Sequence, residues 1–264
     1  MIYFLEQADQ ALETACGLFP ASGTQIYGYA ARYGGMFPFC TSWIVQDESG
    51  RAAGALGRFH MSLRLSCGVL SKNIFLELME FLSFLQWDTL EGPADMIQQI
   101  AEYKDFSQCT LRLGKTMEHM IGQELPALDC FPVQKNPSLQ KLFSILRDST
   151  QDFLNVDEME WRRDASHLLR HEGGVYAAID GKALAGVTAV SPQWGFISQV
   201  ATLPEERGQG FASHLTNWCV RFLSNTGRSA VLLCCNPQAE RIYQKLGFIE
   251  GKKFGVLYRS EFSS

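Results

Sequence analysis

Positive charge is in short supply in this sequence. Lysine and arginine total 23 against 28 aspartates and glutamates, for a net charge of −5. Phosphate backbones need a basic field, so no nucleic-acid partner is expected. Mild acidity suits a cationic amine substrate but is too common to identify one. Long apolar runs are also missing. "NIFLELMEFLSFLQW" comes closest and carries two glutamates, so no membrane span is expected. The opening "MIYFLEQADQ" has early acids and no basic start, and does not read as a signal peptide. The eight cysteines form no C-x-x-C, and their one adjacent pair, Cys234 and Cys235, lies in an apolar run. No cluster of cysteine and histidine has ligand spacing, so no metal is expected. The thiols read as reduced and mostly buried, as in a cytoplasmic protein. What remains is ordinary globular composition, 46% hydrophobic and 19% charged over 264 residues, enough for one large or two modest domains. Nothing in it sets an oligomeric state.

The last third is the most regularly patterned. "GGVYAAIDGKALAGVTAV" reads as strand, Asp180-Gly181 turn, strand, because both turn residues tolerate positive φ. "WGFISQVATL" is a further strand. Phe211, Leu215, Trp218, Cys219 and Phe222 then recur at helical spacing, with Gly227 beyond them. "SAVLLCC" reads as a strand buried on both faces. Ala239, Ile242, Tyr243 and Leu246 mark another helix stopped at Gly247, and "KKFGVLYR" closes as a strand. The first half repeats part of this grammar. Two helical stretches precede a hairpin in "SWIVQDESGRAAGALGRF". A helix ("NIFLELMEFLSFL"), a strand ("WDTL"), a helix ("ADMIQQIAEY") and a strand ("CTLRLGKTM") follow it. Two similarly folded halves are expected, divided near the proline-containing stretch "GQELPALDCFPVQKNPS".

Between the central strand and its helix lies "ERGQGFASH", Glu206 to His214. Glycines without Cβ let a ligand approach the main chain. A helix start offers unpartnered N–H groups and the positive end of a dipole, a setting that favours phosphate. A tight strand-to-helix turn with no ligand is the plainer reading of a lone G-x-G. A P-loop is excluded because Phe211 follows Gly210. A dinucleotide fingerprint is nearly filled by Gly208, Gly210 and Ser213. Yet the next strand ends in Cys234, Cys235 and Asn236 with no acid for a ribose, and little sheet remains after it.

Downstream, "NPQAERIYQKLGF" runs from Asn236 to Phe248. Taken with Arg207, Gly210 and Ala212 in the spacing [QR]-x-x-G-x-[GA], it resembles the GNAT superfamily of acetyl-CoA-dependent N-acyltransferases. The resemblance covers roughly 139 to 259. It implies an α/β protein with an α+β mixed sheet and two GNAT-like halves: a degenerate one over 1–125, a linker over 126–138, and a domain over 139–264 with the intact acyl-CoA motif. By the same resemblance, Val200, Ala201 and Thr202 line the pantetheine arm, where a backbone N–H polarises the thioester carbonyl. Arg207, Gly208, Gln209, Gly210, Ala212 and Ser213 form the pyrophosphate loop. Tyr243 donates a proton to the leaving thiolate, its pKa of about 10 keeping it protonated at neutral pH; a core tyrosine has the same spacing. Asn236 bonds pantetheine amides, caps the next helix, or does both.

The implied reaction is direct attack by a neutral primary amine of a small molecule or amino-acid derivative on acetyl-CoA. Many relatives place a glutamate base on the central strand, whereas this chain has Ser198 and Gln199 near that location. Glu205 and Glu206 read as solvated turn residues, and His171 or Glu172 are alternatives for the base. Asp157, Glu158, Glu160 and Trp161 precede the hairpin, as a cation-attracting segment or as a solvated helix face with one apolar anchor. A non-catalytic acyl-CoA-binding or regulatory module is the competing class, and a dinucleotide-dependent oxidoreductase a third.

Overall fold

The structure, a computed structural model, describes residues 1–35, 37–128, 131–170 and 173–259. Its elements run twice through one order. The first pass is β1 (Ile2–Leu5), α1 (Gln10–Cys16), α2 (Pro20–Tyr33), β2 (Cys40–Gln46), β3 (Ala52–Phe59), β4 (Ser62–Cys67), α3 (Lys72–Phe84), β5 (Thr89–Pro93), α4 (Ala94–Ala101) and β6 (Thr110–His119). The second is β7 (Gln134–Lys135), α5 (Leu139–Ser149), α6 (Glu158–Arg170), β8 (Val175–Ile179), β9 (Ala183–Val190), β10 (Trp194–Thr202), α7 (Phe211–Asn225), β11 (Ser229–Cys234), α8 (Pro237–Lys245) and β12 (Ile249–Tyr258). Short 3₁₀ turns aside, strand and helix succeed one another identically in both passes.

The chain folds into two compact units that do not follow the two passes completely. One comprises Met1–Thr116 and Leu233–Cys235, with the C-terminal stretch from Glu250; the other comprises Met117–Leu232 and Asn236–Ile249. In the first, β1 to β5 lie side by side in sequence order, antiparallel except for the parallel pair β4–β5. The other neighbour of β5 is β12, which pairs Phe254 with Pro93 and Tyr258 with Thr89. A strand from the end of the second pass therefore joins the sheet of the first unit. In the second unit β7 to β11 likewise lie in sequence order, with β10–β11 the parallel pair.

Sequence pattern explains most of these elements. Asp180 (φ 43°) and Gly181 (φ 69°) both adopt positive φ between β8 and β9, as the Asp-Gly hairpin turn requires. All of β8 is buried, and so is β11 save one residue, as continuous apolar runs demand. The strand expected from "WDTL" begins only at Thr89. Trp87 is drawn into the core of the first unit, its indole N–H donating to the Leu82 carbonyl at 3.2 Å. Strand β7 carries no pattern that marks it; it has two residues and lies in the proline-containing stretch.

Each unit has its own core. Leu56, Leu63, Leu78, Trp87 and Ile97 centre one, and Leu142, Leu146, Trp161, Tyr176 and Leu184 centre the other. In the second unit α7 packs on the sheet closely enough that a Cβ on Gly195 would lie 2.1 Å from Leu223 Cδ2. No helix among the described residues is long and apolar enough to cross a membrane.

His119, at the end of β6, is fully buried with its ring 5.4 Å from that of Phe248. Burial holds its pKa below the ordinary value. Above about pH 6.5 the ring is neutral in both folded and unfolded chains. As pH falls through that value the unfolded chain takes up the proton first, so folding stability declines until the buried ring also titrates. The expected slope from this one group is at most about 1.4 kcal/mol per pH unit. Urea unfolding of the parent and of His119→Leu between pH 7.5 and 5 (about one unit either side of the free imidazole value) should show the shallower decline in the variant.

Candidate functional site

The central strand of the second unit supplies one wall of the site. β10 pairs with β11 only at Trp194, Gly195 and Phe196, opposite Ser229, Ala230 and Val231. It then continues to Thr202 bonded to β9 alone, at Ala201↔Leu184 and Thr202↔Ala183. Past Phe196 the two parallel strands have parted, which leaves main-chain groups of β10 without ladder partners on that side. A cavity of ≈ 610 Å³ opens there, with Val200, Ala201 and Thr202 on its wall.

The opposite wall is the start of α7. Gly208 (φ 83°) and Gly210 (φ 86°) are both left-handed, a conformation that costs other residues about 1–2 kcal/mol. A Cβ on either would meet nothing within 4 Å, so the backbone here is bare toward open space. Gly210 is the N-cap and provides no side-chain acceptor. The first intrahelical bond is His214 N–H to Gly210 O at 3.0 Å. Among the described residues no acceptor takes the N–H groups of Phe211, Ala212 or Ser213, the orphan donors of a helix start. Two buried hydroxyls on the cavity wall, Ser149 Oγ and Thr202 Oγ1, have no hydrogen-bond partner among the described residues. Unsatisfied donors and the positive end of a helix thus converge on one space, an arrangement suited to an anionic ligand.

Gly208, Gly210, Ala212, Ser213, Arg207 and Asn236 all line this cavity together with the strand residues. Gln209 does not; its side-chain amide donates to Glu206 Oε2 at 2.7 Å. The Arg207 guanidinium donates to the Ser149 carbonyl (2.9 Å) and, through Nε, to the Thr202 carbonyl (3.4 Å), so it ties the loop to α5 and β10. Asn236 caps α8, its Oδ1 accepting from Gln238 N–H at 2.8 Å. Tyr243 is buried, with its ring 5.7 Å from Phe248, and is not among the lining residues; Ala239 and Ile242 represent α8 there. Ser149 and Thr150, at the end of α5, also line the cavity and were not singled out from the sequence. The signal for them lay in Leu142, Phe143, Ile145 and Leu146, whose helical spacing stops just before these two hydroxyl residues.

Of the acidic alternatives, Glu206 pairs with Lys182 at 3.3 Å and Glu205 is exposed in a 3₁₀ turn. His171 and Glu172 lie outside the described residues. The acidic segment forms a solvated face of α6, with Glu158–Arg162 and Glu160–Arg163 pairs at 3.5 Å. Its one apolar anchor, Trp161, packs between Phe143 and Tyr176 at 5.6 and 5.8 Å. On β10, Ser198 shares a hydroxyl–hydroxyl bond with Thr188 (2.7 Å), and Gln199 accepts from the Tyr176 hydroxyl (2.9 Å). Among the described residues no group of three or more metal-ligating side chains gathers anywhere.

Residues 139–248 match the model of the Acetyltransferase (GNAT) family. No curated protein matches the sequence. Solved structures resemble the chain over nearly its whole length. An acetyltransferase from the GNAT family of Colwellia psychrerythraea is 12% identical with a TM-score of 0.58, covering 98% of each chain. A tandem GNAT protein from the clavulanic acid biosynthesis pathway is 12% identical with a TM-score of 0.53, covering 97% of this chain and 98% of its own. A GCN5-related N-acetyltransferase from Kribbella flavida is 16% identical with a TM-score of 0.58, covering 92% of this chain and 95% of its own. At such identities the likeness is one of fold, and it takes in both passes of the chain. The cavity at the start of α7 falls inside the segment that matches the GNAT family model, residues 139–248, and that match together with the shared fold supports an acyltransferase.

Proposed function

We propose that the domain over 139–248 binds acetyl-coenzyme A and transfers its acetyl group to a primary amine of a small molecule or amino-acid derivative. The observation that carries this reading is the uncapped start of α7 between left-handed glycines, facing a strand that has left its neighbour. The N–H groups of residues 210 to 213 receive the pyrophosphate, with the helix dipole favouring its charge. Arg207 adds positive charge at the rim while fixing the loop. The free edge of β10 at Val200, Ala201 and Thr202 runs along the pantetheine arm, and a main-chain N–H there polarises the thioester carbonyl. The amine attacks that carbon; the C–N bond forms as the C–S bond breaks, Tyr243 gives the departing sulfur a proton, and the acylated nitrogen releases its extra proton to water, from which the tyrosinate is reprotonated. Asn236 holds α8, and with it Tyr243, at the end of β11.

We assign coenzyme binding to the second pass alone. At the same place in the first pass, the start of α3, Ser71 accepts from the Ile74 N–H at 3.4 Å, so a side chain already occupies the helix end. A second reading, an acyl-CoA-binding module without turnover, is favoured by one observation: Ser198 and Gln199 place no carboxylate on β10. Under the enzymatic reading the same fact means that the acceptor reaches the site as a free amine. Turnover should then rise with pH in step with the acceptor's own titration.

Two measurements test this proposal. Coenzyme A should raise the melting temperature of the parent, while Gly210→Ala, strained at φ 86° but free of clashes, should bind it about tenfold more weakly by calorimetry. Tyr243→Phe should lose about a hundredfold in turnover with a panel of amines while its affinity for coenzyme A stays within about threefold of the parent. Tight binding with no turnover by the parent across the panel would select the module instead.

A further inference from the structure

Four described residues other than glycine have positive φ: His60, Asn136, Asp180 and Gln199. Only Gln199, at φ 54°, lies inside a strand. There the register between β10 and β9 shifts. Ser198 faces Gly186 and Ala201 faces Leu184, so β10 carries one more residue than its partner. This is a β-bulge, and a left-handed bulge position ordinarily belongs to glycine because any Cβ is strained there. Something must hold a glutamine in that conformation.

The holding contact comes from two strands away. Tyr176 on β8 donates its hydroxyl proton to Gln199 Oε1 at 2.9 Å. Between them runs β9, where Gly186 is paired both with Tyr176 and with Ser198. A Cβ on Gly186 would lie 2.7 Å from Tyr176 Cε1 and 2.9 Å from Cδ1, so the tyrosine ring lies across the bare glycine. The absent side chain gives the ring its path to the bulge. The ring is almost fully buried (2% exposed) and is backed by Trp161 at 5.8 Å, which fixes the hydroxyl's reach. Gly186, Tyr176 and Trp161 together form a brace that ends on Gln199.

The bulge leads directly into Val200, Ala201 and Thr202, the free edge on the cavity wall. We infer that Tyr176 is a positioning residue for acetyl transfer: its hydrogen bond keeps Gln199 left-handed and so aims the main-chain N–H beyond the bulge at the thioester carbonyl. This rests on the function proposed above, with the tyrosine acting through the backbone and touching no reacting atom. Main-chain donors stabilise a developing oxyanion only within a few tenths of an ångström of the right place, so a small relaxation of the bulge weakens the rate before it weakens binding.

Tyr176→Phe removes one oxygen and keeps the ring, so the fold should survive. It should lower kcat about tenfold while the Kd for coenzyme A and the melting temperature stay near those of the parent. In the same variant the ¹³Cα and ¹³Cβ shifts of Gln199 should leave the left-handed range. Adding Gln199→Gly should restore kcat to within about threefold of the parent, because glycine adopts positive φ without a tether. A Tyr176→Phe enzyme with parental kcat and parental Gln199 shifts would overturn the inference, and so would a double variant no faster than the single one. Should the parent itself bind coenzyme A without turning over any amine, the proposed function fails. The Gln199 shifts then decide by themselves: unchanged shifts overturn the brace, and altered shifts sustain it.

Discussion

Everything at the candidate site depends on a stretch of main chain that has been left bare. Gly208 and Gly210 turn the chain through left-handed φ, and Gly210 begins α7 without giving it a side-chain cap. Unsatisfied N–H groups are costly where they cannot be solvated, so an open helix start persists where it faces water or a ligand. Here it faces a cavity of ≈ 610 Å³ whose other wall is the unpaired edge of β10. Each half of that arrangement needs the other. A parted strand without the helix start offers no charge complement, and a helix start without the parted strand offers no channel for a long thioester arm.

The repeated order of elements shows how little separates a site from a scaffold. Both passes place a parallel strand pair before and after a helix, β4–α3–β5 in one and β10–α7–β11 in the other. In one the helix begins at Ser71, in extended conformation with its own hydroxyl closing the end. In the other it begins at a left-handed glycine with nothing closing it. The compact units also draw on distant stretches of the sequence, since β12 of the second pass pairs with β5 of the first.

Much of this was legible in the residues because it follows from local rules. Asp180-Gly181 forces a hairpin, the apolar spacing from Phe211 to Phe222 forces a helix, and the glycine motif with the Asn236–Phe248 segment points to one family. What escaped was long-range. Ser149 and Thr150 come onto the cavity wall through the packing of α5, which no short motif encodes. That Arg207 would spend its guanidinium on the Ser149 and Thr202 carbonyls depends on where α5 ends. The pairing of β12 with β5 leaves no trace in local periodicity, because any strand of the right pattern pairs with a waiting edge. Gly186 could be read as a weak point in a strand, but its purpose shows only when the Tyr176 ring is seen lying across it.

The central claim is that the main-chain N–H groups around residues 208 to 213 receive the diphosphate of coenzyme A. The most direct measurement is a titration of ¹⁵N-labelled protein with coenzyme A, followed amide by amide. The expected result is that Gly210, Phe211, Ala212 and Ser213 show the largest shifts and saturate with one common affinity. Saturating binding that leaves these four amides unmoved while others respond would contradict it.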